Sequence, residues 1–372
     1  MVIGNNFMST IVLTGGGTAG HAVPCFALLP DLKKHFDEIY YIGRKEGIES
    51  NLAKKHGVTF FYIPAVKLER RLTLKNTLIP IRLLKAISTA KHILKNLKPD
   101  VVFSKGGYVA LPVVIAAGSM NIPVISHESD LTLGLANKIA LKYSAKLLTG
   151  FEETAKEIKK AEYTGIPLDK SLFKKHDKNA LLKKFGLDKN KKTLLITGGS
   201  QGASAINSAF FGAAEELSKT YNIIWLCGKG KLKRLDNGLK NIYAAEFVQN
   251  MGEVFAVTDL CVSRAGANTL FELIALNIPT VAIPLPKGNS RGDQEQNAAY
   301  FRRKGAIAVL PEDRLSPESL IHVIERLDKD SPKYKEACSN LNFLAADTRI
   351  ITILSAYAKT SKENSLILSE KP

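Results

Sequence analysis

Cysteine is scarce in this chain, and its spacing is uninformative. Four residues, Cys25, Cys227, Cys261 and Cys338, are scattered through 372 positions with no paired spacing. That pattern excludes a disulfide scaffold and a zinc cluster, and it suits a reducing compartment. Acids are short as well. Fifty-two Lys and Arg face 35 Asp and Glu, for a net charge of +17 and a pI near 9.5. Such a surplus favours polyanionic partners: nucleic acid, an anionic membrane surface or phosphate-bearing substrates. Aromatic residues are not interleaved with the cations, so the grooves that stack single-stranded nucleic acid are not expected. Long apolar runs are missing too. The uncharged stretch Gly106 to Ser126 is divided by Pro112, Gly118, Asn121 and Pro123 into a short helix and a buried strand, which excludes one spanning helix. No charged segment precedes an apolar run at the start, so no signal peptide is expected. No D-x-D pair is placed as a metal–diphosphate site, and no metal is expected.

What remains is an alternation of short apolar runs, glycine loops and helices, at a length that suits two domains. Ile11 to Thr14 reads as a strand that feeds Gly15-Gly-Gly-Thr18-Ala19-Gly20-His21 and then a helix with Pro24 near its first turn. Glycines there let the backbone turn sharply and approach a ligand. The G-x-G-x-x-G match is weak alone. The second strand, Ile39 to Gly43, ends in Arg44 where an NAD-binding strand would end in an acid. That argues against NAD and leaves an NADP-dependent oxidoreductase as an alternative. His21 at a helix N-terminus stays neutral at pH 7 and can act as a base. Ser104-Lys-Gly-Gly-Tyr forms another glycine loop after a strand. His127-Glu128-Ser-Asp130 follows a third strand, Val124 to Ser126, and runs on to Asn137. Glu128 is a second candidate base or a hydroxyl acceptor, against the plain reading of a helix-capping acid.

The second half repeats the pattern. Thr193 to Thr197 is a strand, and Gly198-Gly-Ser200-Gln201-Gly202 opens the next helix as an anion cradle. Leu260 to Val262 is a buried strand broken by Gly266, after which Asn268 or Thr269 can cap a helix whose first N–H groups suit a diphosphate. Glu272, one turn further in, would repel phosphate and suits paired hydroxyls such as a ribose. Thr280 to Ile283 is the next strand, and the polar loop after it carries Gln294 and Asn297, uncharged partners for sugar hydroxyls. A strand end near Phe247 and Val248 could offer backbone groups to a flat base. Every one of these clusters sits where open α/β sheets place ligands.

Lys67 to Lys98 carries nine cations against the single acid Glu69. Leu78, Ile79, Leu83, Leu84, Ile87, Ile93, Leu94 and Leu97 recur with rough helical period, and the stripe of the helix is expected to lie mostly in the core. The looser part, with Arg70, Arg71 and Lys75, is the candidate for an anionic membrane surface. The expected fold is α/β, with a Rossmann-like domain over 1–164 and a second over 165–341. Residues 342–360 would pack back on the first domain, and 361–372 would form a flexible tail.

Six motifs, Gly15 to His21, Ser104 to Tyr108, His127 to Asn137, Gly198 to Gly202, Arg264 to Thr269 and Gly292 to Asn297, occur in the order found in glycosyltransferase family 28, which the chain resembles along nearly all its length. The resemblance implies a GT-B architecture, two Rossmann-like domains flanking a donor/acceptor cleft. It implies inverting transfer of N-acetylglucosamine from UDP-GlcNAc to the MurNAc 4-hydroxyl of lipid I, giving lipid II for peptidoglycan, with no cofactor. Other GT-B glycolipid transferases are the alternative. Carried over by position, Val248 meets the uracil, Glu272 the ribose, and Ser200, Gln201 and the turn Ala267-Asn268-Thr269-Leu270 the diphosphate. Gln294 meets the sugar, with Asp130 and Asn137 as further donor contacts. Thr18, Ala19 and Gly20 border the diphosphate or acceptor, and His21 or Glu128 is the base. The implied setting is peripheral, at the cytoplasmic face of the inner membrane, among other cell-wall and division proteins and without nucleic acid. Two positions depart from the family. Asp169 and Lys170 stand where an Arg is frequent, and Asp130 stands where Asn is usual.

Overall fold

The computed structural model describes residues 8–64, 79–199, 202–233, 239–288 and 291–369, the side chains of 362–369 excepted. Arg70, Arg71, Lys75, Ser200 and Gln201 therefore lie outside the described residues. The chain divides into two compact units, residues 1–168 with 345–372, and residues 169–344.

In the first unit, strands and helices alternate from the start. They run β1 (Thr10–Thr14), α1 (Ala19–Ala27), α2 (Leu29–Leu32), β2 (Glu38–Gly43), α3 (Ile48–His56), β3 (Thr59–Tyr62) and α4 (Ile79–Leu97). Then follow β4 (Val101–Ser104), α5 (Leu111–Ser119), β5 (Val124–Glu128), α6 (Leu135–Ala140), β6 (Lys146–Thr149), α7 (Glu152–Lys156) and β7 (Ala161–Tyr163). Among the described residues the strands form one parallel sheet in the order β3-β2-β1-β4-β5-β6-β7. Parallel strands need helical crossovers, and these cover both faces. The central strands are accordingly apolar on both sides, and Val101, Val102 and Phe103 are fully buried.

The second unit repeats this plan. α8 (Lys178–Lys184) precedes β8 (Thr193–Thr197), α9 (Ser204–Thr220), β9 (Asn222–Leu226), β10 (Ile242–Ala245) and α10 (Met251–Val257). After them come β11 (Leu260–Ser263), α11 (Ala267–Ala275), β12 (Thr280–Ala282), α12 (Asp293–Arg303), β13 (Ala308–Val309), α13 (Pro317–Lys329) and α14 (Ser331–Ser339). Its sheet order, β10-β9-β8-β11-β12-β13, has the topology of the first sheet. In each sheet the order reverses beside the strand that carries the glycine loop, β1 next to β4 and β8 next to β11. Open α/β sheets place their ligands outside the strand C-termini at that point.

The last helix, α15 (Ala346–Ser369), belongs to the first unit, where Ile350, Ile351, Leu354 and Ala358 join Phe26, Leu32 and Phe103 in one core cluster. It continues past position 361, where the sequence reading begins a tail. No Pro or Gly interrupts 346–369, so nothing breaks the i→i−4 ladder. α4 differs from expectation on one face. Ala86, Ala90 and Leu94 supply its buried stripe, whereas Leu84 is 67% exposed. Alanines at i and i+4 let α4 lie close on α5, which turns Leu84 outward.

Candidate active site

In the first unit, three strand ends converge on His21. α1 starts behind Thr18, whose extended backbone makes it the N-cap, and exposed Thr18 with half-buried Ala19, Gly20 and His21 forms the first turn. Beneath it, the Tyr41 hydroxyl donates to Gly15 O at 2.6 Å, and Lys105 N donates to Thr14 O at 2.8 Å. The two glycine loops interlock. A Cβ on Gly107 (φ +83°) would fall 2.4 Å from Gly16 O and 3.0 Å from His21 Cδ2, so only glycine fits.

His21 Nδ1 lies 3.2 Å from the Lys105 carbonyl oxygen. A carbonyl only accepts, so Nδ1 carries the proton and Nε2 the lone pair. Burial lowers the His21 pKa, and the Lys105 charge lowers it further; Glu128 and Asp130 pull the other way. The result is a neutral imidazole, the form a general base needs.

Glu128 is placed differently. It is 2% exposed, and its carboxylate accepts from Asp130 N (3.1 Å), Gly134 N (2.9 Å) and Asn137 Nδ2 (3.0 Å). Asn137, itself buried, also donates to His127 O at 3.2 Å. These bonds make Glu128 the anchor of the loop from β5 to α6, with Asp130 half-buried at its mouth. Three N–H donors hold both oxygens and leave about one acceptor position open, on Oε1.

A neighbouring group escaped the sequence reading. Lys105 is 1% exposed, and its ammonium donates to His127 Nδ1 at 2.9 Å and to Ser129 Oγ. His127 Nε2 lies 2.8 Å from Gly165 O and so carries the ring proton, which leaves Nδ1 as an acceptor. The signal in the sequence was a cation two positions after the wholly apolar Val101-Val102-Phe103, with only Ser104 between.

In the second unit, Gly198, Gly199 and Gly202 lie between β8 and α9. Gly202 (φ +67°) could not carry a Cβ, which would meet Cys227 O at 2.1 Å. Lys231 Nζ reaches this loop and donates to Gly202 O at 3.1 Å. α11 begins at Ala267 behind Gly266, and no side chain caps it. The sequence reading expected Asn268 or Thr269 as the cap. The extended backbone of Gly266 (φ −67°, ψ 134°) starts the helix earlier, so both residues fall inside its first turn. Leu270 N closes that turn on Gly266 O at 3.1 Å. An uncapped helix N-terminus opening on the switch point suits an anion.

Half-buried Glu272 stands further along α11, its pKa pushed up to about 7 by burial and then by the Asp169 carboxylate. Asp169 itself accepts from Ser171 N at 2.8 Å and caps the turn Lys170–Phe173. Gln294, in the first turn of α12, accepts from Leu285 N at 3.0 Å through Oε1, which leaves its amide NH2 to donate outward. Asn297 is fully buried and donates to Ala265 O at 3.4 Å. Val248 lies in the turn after β10, half-buried against the apolar cluster of α8 and α10. β10 itself stops at Ala245, three residues short of the strand end expected there. Arg264 is structural: it ion-pairs with Glu312 and donates to Ile283 O at 3.2 Å.

The four cysteines are buried and free, and burial pushes the Cys25 thiol up to about 12, which makes it a poor nucleophile. Among the described residues no cluster of His, Cys, Asp and Glu is arranged to hold a metal ion.

Residues 11–149 match the glycosyltransferase family 28 N-terminal domain, and residues 193–351 match the glycosyltransferase family 28 C-terminal domain. A Clostridium perfringens protein named UDP-N-acetylglucosamine--N-acetylmuramyl-(pentapeptide) pyrophosphoryl-undecaprenol N-acetylglucosamine transferase is 45% identical over 330 residues, covering 87% of this chain and 91% of the relative. A Bacillus cereus protein of the same name, numbered 2, is 41% identical over 351 residues, covering 94% and 99%. The crystal structure of Acinetobacter baumannii MurG superposes with a TM-score of 0.73 at 23% identity, over 94% of this chain and 99% of that one. That superposition shows the fold, GT-B with two Rossmann-like domains. With both halves matched in order and relatives above 40% identity along most of the length, the chain belongs to glycosyltransferase family 28.

Proposed function

We propose that this chain transfers N-acetylglucosamine from UDP-GlcNAc to the MurNAc 4-hydroxyl of lipid I, with inversion, releasing UDP and giving lipid II. The observation that carries the reading is the uncapped N-terminus of α11 with Glu272 following it in the same helix. The relatives' shared name supports the donor and acceptor. Peptide N–H groups of the Gly198–Gly202 loop and of Ala267 to Leu270 hold the diphosphate, together with Ser200 and Gln201. Glu272 accepts from the ribose hydroxyls, the backbone at Val248 meets the uracil, and the Gln294 amide donates to the sugar. Asp130 and Asn137 stand on the first unit as further donor contacts, with Asn137 working through the Glu128 anchor.

The acceptor belongs to the first unit, bordered by Thr18, Ala19 and Gly20. His21 Nε2 takes the proton of the 4-hydroxyl as its oxygen attacks the anomeric carbon from the face opposite the leaving group. The bond from that carbon to the diphosphate oxygen breaks, and UDP leaves with the electron pair. Of the two candidate bases, the reading favours His21, whose Nε2 lone pair is set free by the proton on Nδ1, whereas Glu128 holds three donors of its own loop. Helix N-termini and loop amides, in place of a metal ion, neutralise the departing diphosphate.

Lipid I lies in a bilayer, and no helix among the described residues is long and apolar enough to cross one. The proposed location is therefore peripheral, at the cytoplasmic face of the inner membrane, with Arg70, Arg71 and Lys75 at the anionic surface and other cell-wall and division proteins as neighbours. A transfer assay with a lipid I analogue tests the reading. UDP-GlcNAc should serve as donor well ahead of UDP-glucose, and absence of transfer from UDP-GlcNAc would overturn it.

A further inference from the structure

A fully buried ammonium group with no carboxylate in direct contact is rare, because desolvation disfavours the charged form. Lys105 is such a group, and the reaction as drawn above does not use it. Its three neighbours explain how it is held. His127 is fully buried, and its pKa is driven well below the ordinary value by burial and then by the Lys105 charge. Its Nε2 proton is committed to Gly165 O, so its Nδ1 can only accept. Ser129 Oγ accepts the second ammonium proton. At the backbone, Lys105 N is fixed to Thr14 O, and the Lys105 Cβ packs where a Cβ on Gly15 would approach to 3.0 Å. The residue thus lies against the first glycine loop and opens the second, and its carbonyl oxygen is the atom that meets His21 Nδ1.

We propose that Lys105 is a positioning residue for the base: its carbonyl fixes the proton on His21 Nδ1, and its ammonium, locked by His127 and Ser129, keeps the imidazole neutral. The inference rests on His21 being the base of the proposed reaction. The charged and titratable groups facing His21 are Lys105, Glu128 and Asp130. Those facing Lys105 are Glu128, Asp130, Cys25 and His127. Of these, Lys105 alone is a cation at neutral pH; burial pushes its pKa down to about 8, and Glu128 leads the groups that hold it up. Two acids opposite one imidazole would on their own draw a proton onto it. The buried ammonium opposes that pull, so both effects of its removal have one sign. Without it, His21 protonates more readily, and the acids lose the cation that balances them.

The test follows the His21 ring itself by NMR of histidine-labelled protein, the signal assigned by its loss in His21→Gln. In the unaltered chain the neutral ring should carry its proton on Nδ1. In Lys105→Met, and in Lys105→Gln, which keeps a polar end without the charge, the midpoint should rise by about one pH unit. The acid limb of kcat/KM for sugar transfer should move the same way. A shift smaller than about 0.3 unit in a folded variant, or a neutral ring protonated on Nε2 in the unaltered chain, overturns the proposal. If neither variant folds, the tautomer judges the carbonyl contact, and a His21 midpoint in the unaltered chain at or above about 6.5 overturns the claim that the imidazole is kept neutral. Absence of sugar transfer by the unaltered chain would refute the function while leaving the ring measurements to judge Lys105.

Discussion

If Glu272 accepts the donor's ribose as proposed, donor binding should depend on pH. Its carboxyl has an ordinary value of 4.5, and burial followed by the Asp169 charge pushes it up to about 7. An ionised carboxylate accepts from both hydroxyls of a ribose, whereas the protonated form spends one position on its own proton. Tight binding therefore selects the ionised form, and apparent affinity scales with the ionised fraction. Between pH 8 and pH 6 that fraction falls about tenfold for a group titrating near 7, so Kd should rise about tenfold over the same span. The ligand should be UDP-GlcNAc: the terminal phosphate of UDP itself titrates near pH 6, by analogy with phosphate esters, and would mask the effect. Calorimetry across pH 5.5–8.5 is the assay. Glu272→Gln should weaken binding at pH 8 by roughly 10–100-fold, the worth of one or two charge-assisted hydrogen bonds, and should flatten the profile.

The same shift makes a second, independent demand on stability. An acid whose native pKa lies above its unfolded value stabilises the fold below the unfolded pKa, near 4.5 here. That contribution is lost as pH rises through about 7. Glu272→Gln should then raise the unfolding free energy at pH 8, by about 1–2 kcal/mol once solvent screening at this half-buried site is allowed for. A variant that binds donor worse and melts higher is the expected signature of a strained binding residue. A flat Kd profile for the unaltered chain, or a slope that persists in Glu272→Gln, would refute the reasoning.

Other expectations follow from single contacts. His21→Ala should lower kcat by about 10²–10⁴ at unchanged melting temperature, while Glu128→Gln, which loses an acceptor for buried N–H groups, should cost about 1–3 kcal/mol of stability in thermal melts. Gly202→Ala would drive a Cβ into Cys227 O; it should destabilise by about 2 kcal/mol or more and abolish UDP-GlcNAc binding in calorimetry. Replacing Arg70, Arg71 and Lys75 with Gln should weaken co-sedimentation with anionic vesicles, by about 1 kcal/mol per cation, and unchanged sedimentation would remove them from the membrane surface. EDTA should leave transfer by the purified protein unaffected, and loss of activity would show that the diphosphate needs a metal.

How much of this could be read from the residues alone follows from which interactions are local. Apolar runs such as Val101 to Phe103 and Leu194 to Ile196, each ended by a glycine loop, fix a parallel α/β sheet because period, length and turn chemistry agree. Their repetition after Thr193 gives two such units. Candidate site residues were legible for the same reason: open α/β sheets place ligands at strand C-termini, and Glu128 ends β5 while His21, Ser200 and Glu272 follow strand ends by seven, three and nine positions. The α11 cap was not legible, because Asn268 and Thr269 are better capping residues than Gly266 by type; the winning choice depends on where the backbone leaves β11. The exposed Leu84 was hidden likewise, since α5 decides which stripe of α4 is covered.

The roles inside the first unit were the least legible, and the reason is long-range pairing. Glu128 and His21 are 107 positions apart, and each is a plausible base by type. Only the partners separate them: one carboxylate closed by Asp130, Gly134 and Asn137, and one imidazole whose proton is turned to Lys105 O. Lys105 shows the point most sharply. In sequence it is one lysine among many in a strongly basic chain, set apart only by its place two positions past Val101-Val102-Phe103. Folded, it is walled in by His127, Ser129 and the glycine loops, where its charge acts on His21 at low dielectric instead of being screened. Net charge says nothing about which cations are so placed. The surplus of exposed lysine, proposed to meet an anionic surface, therefore carries a different argument from the single buried lysine whose carbonyl meets His21.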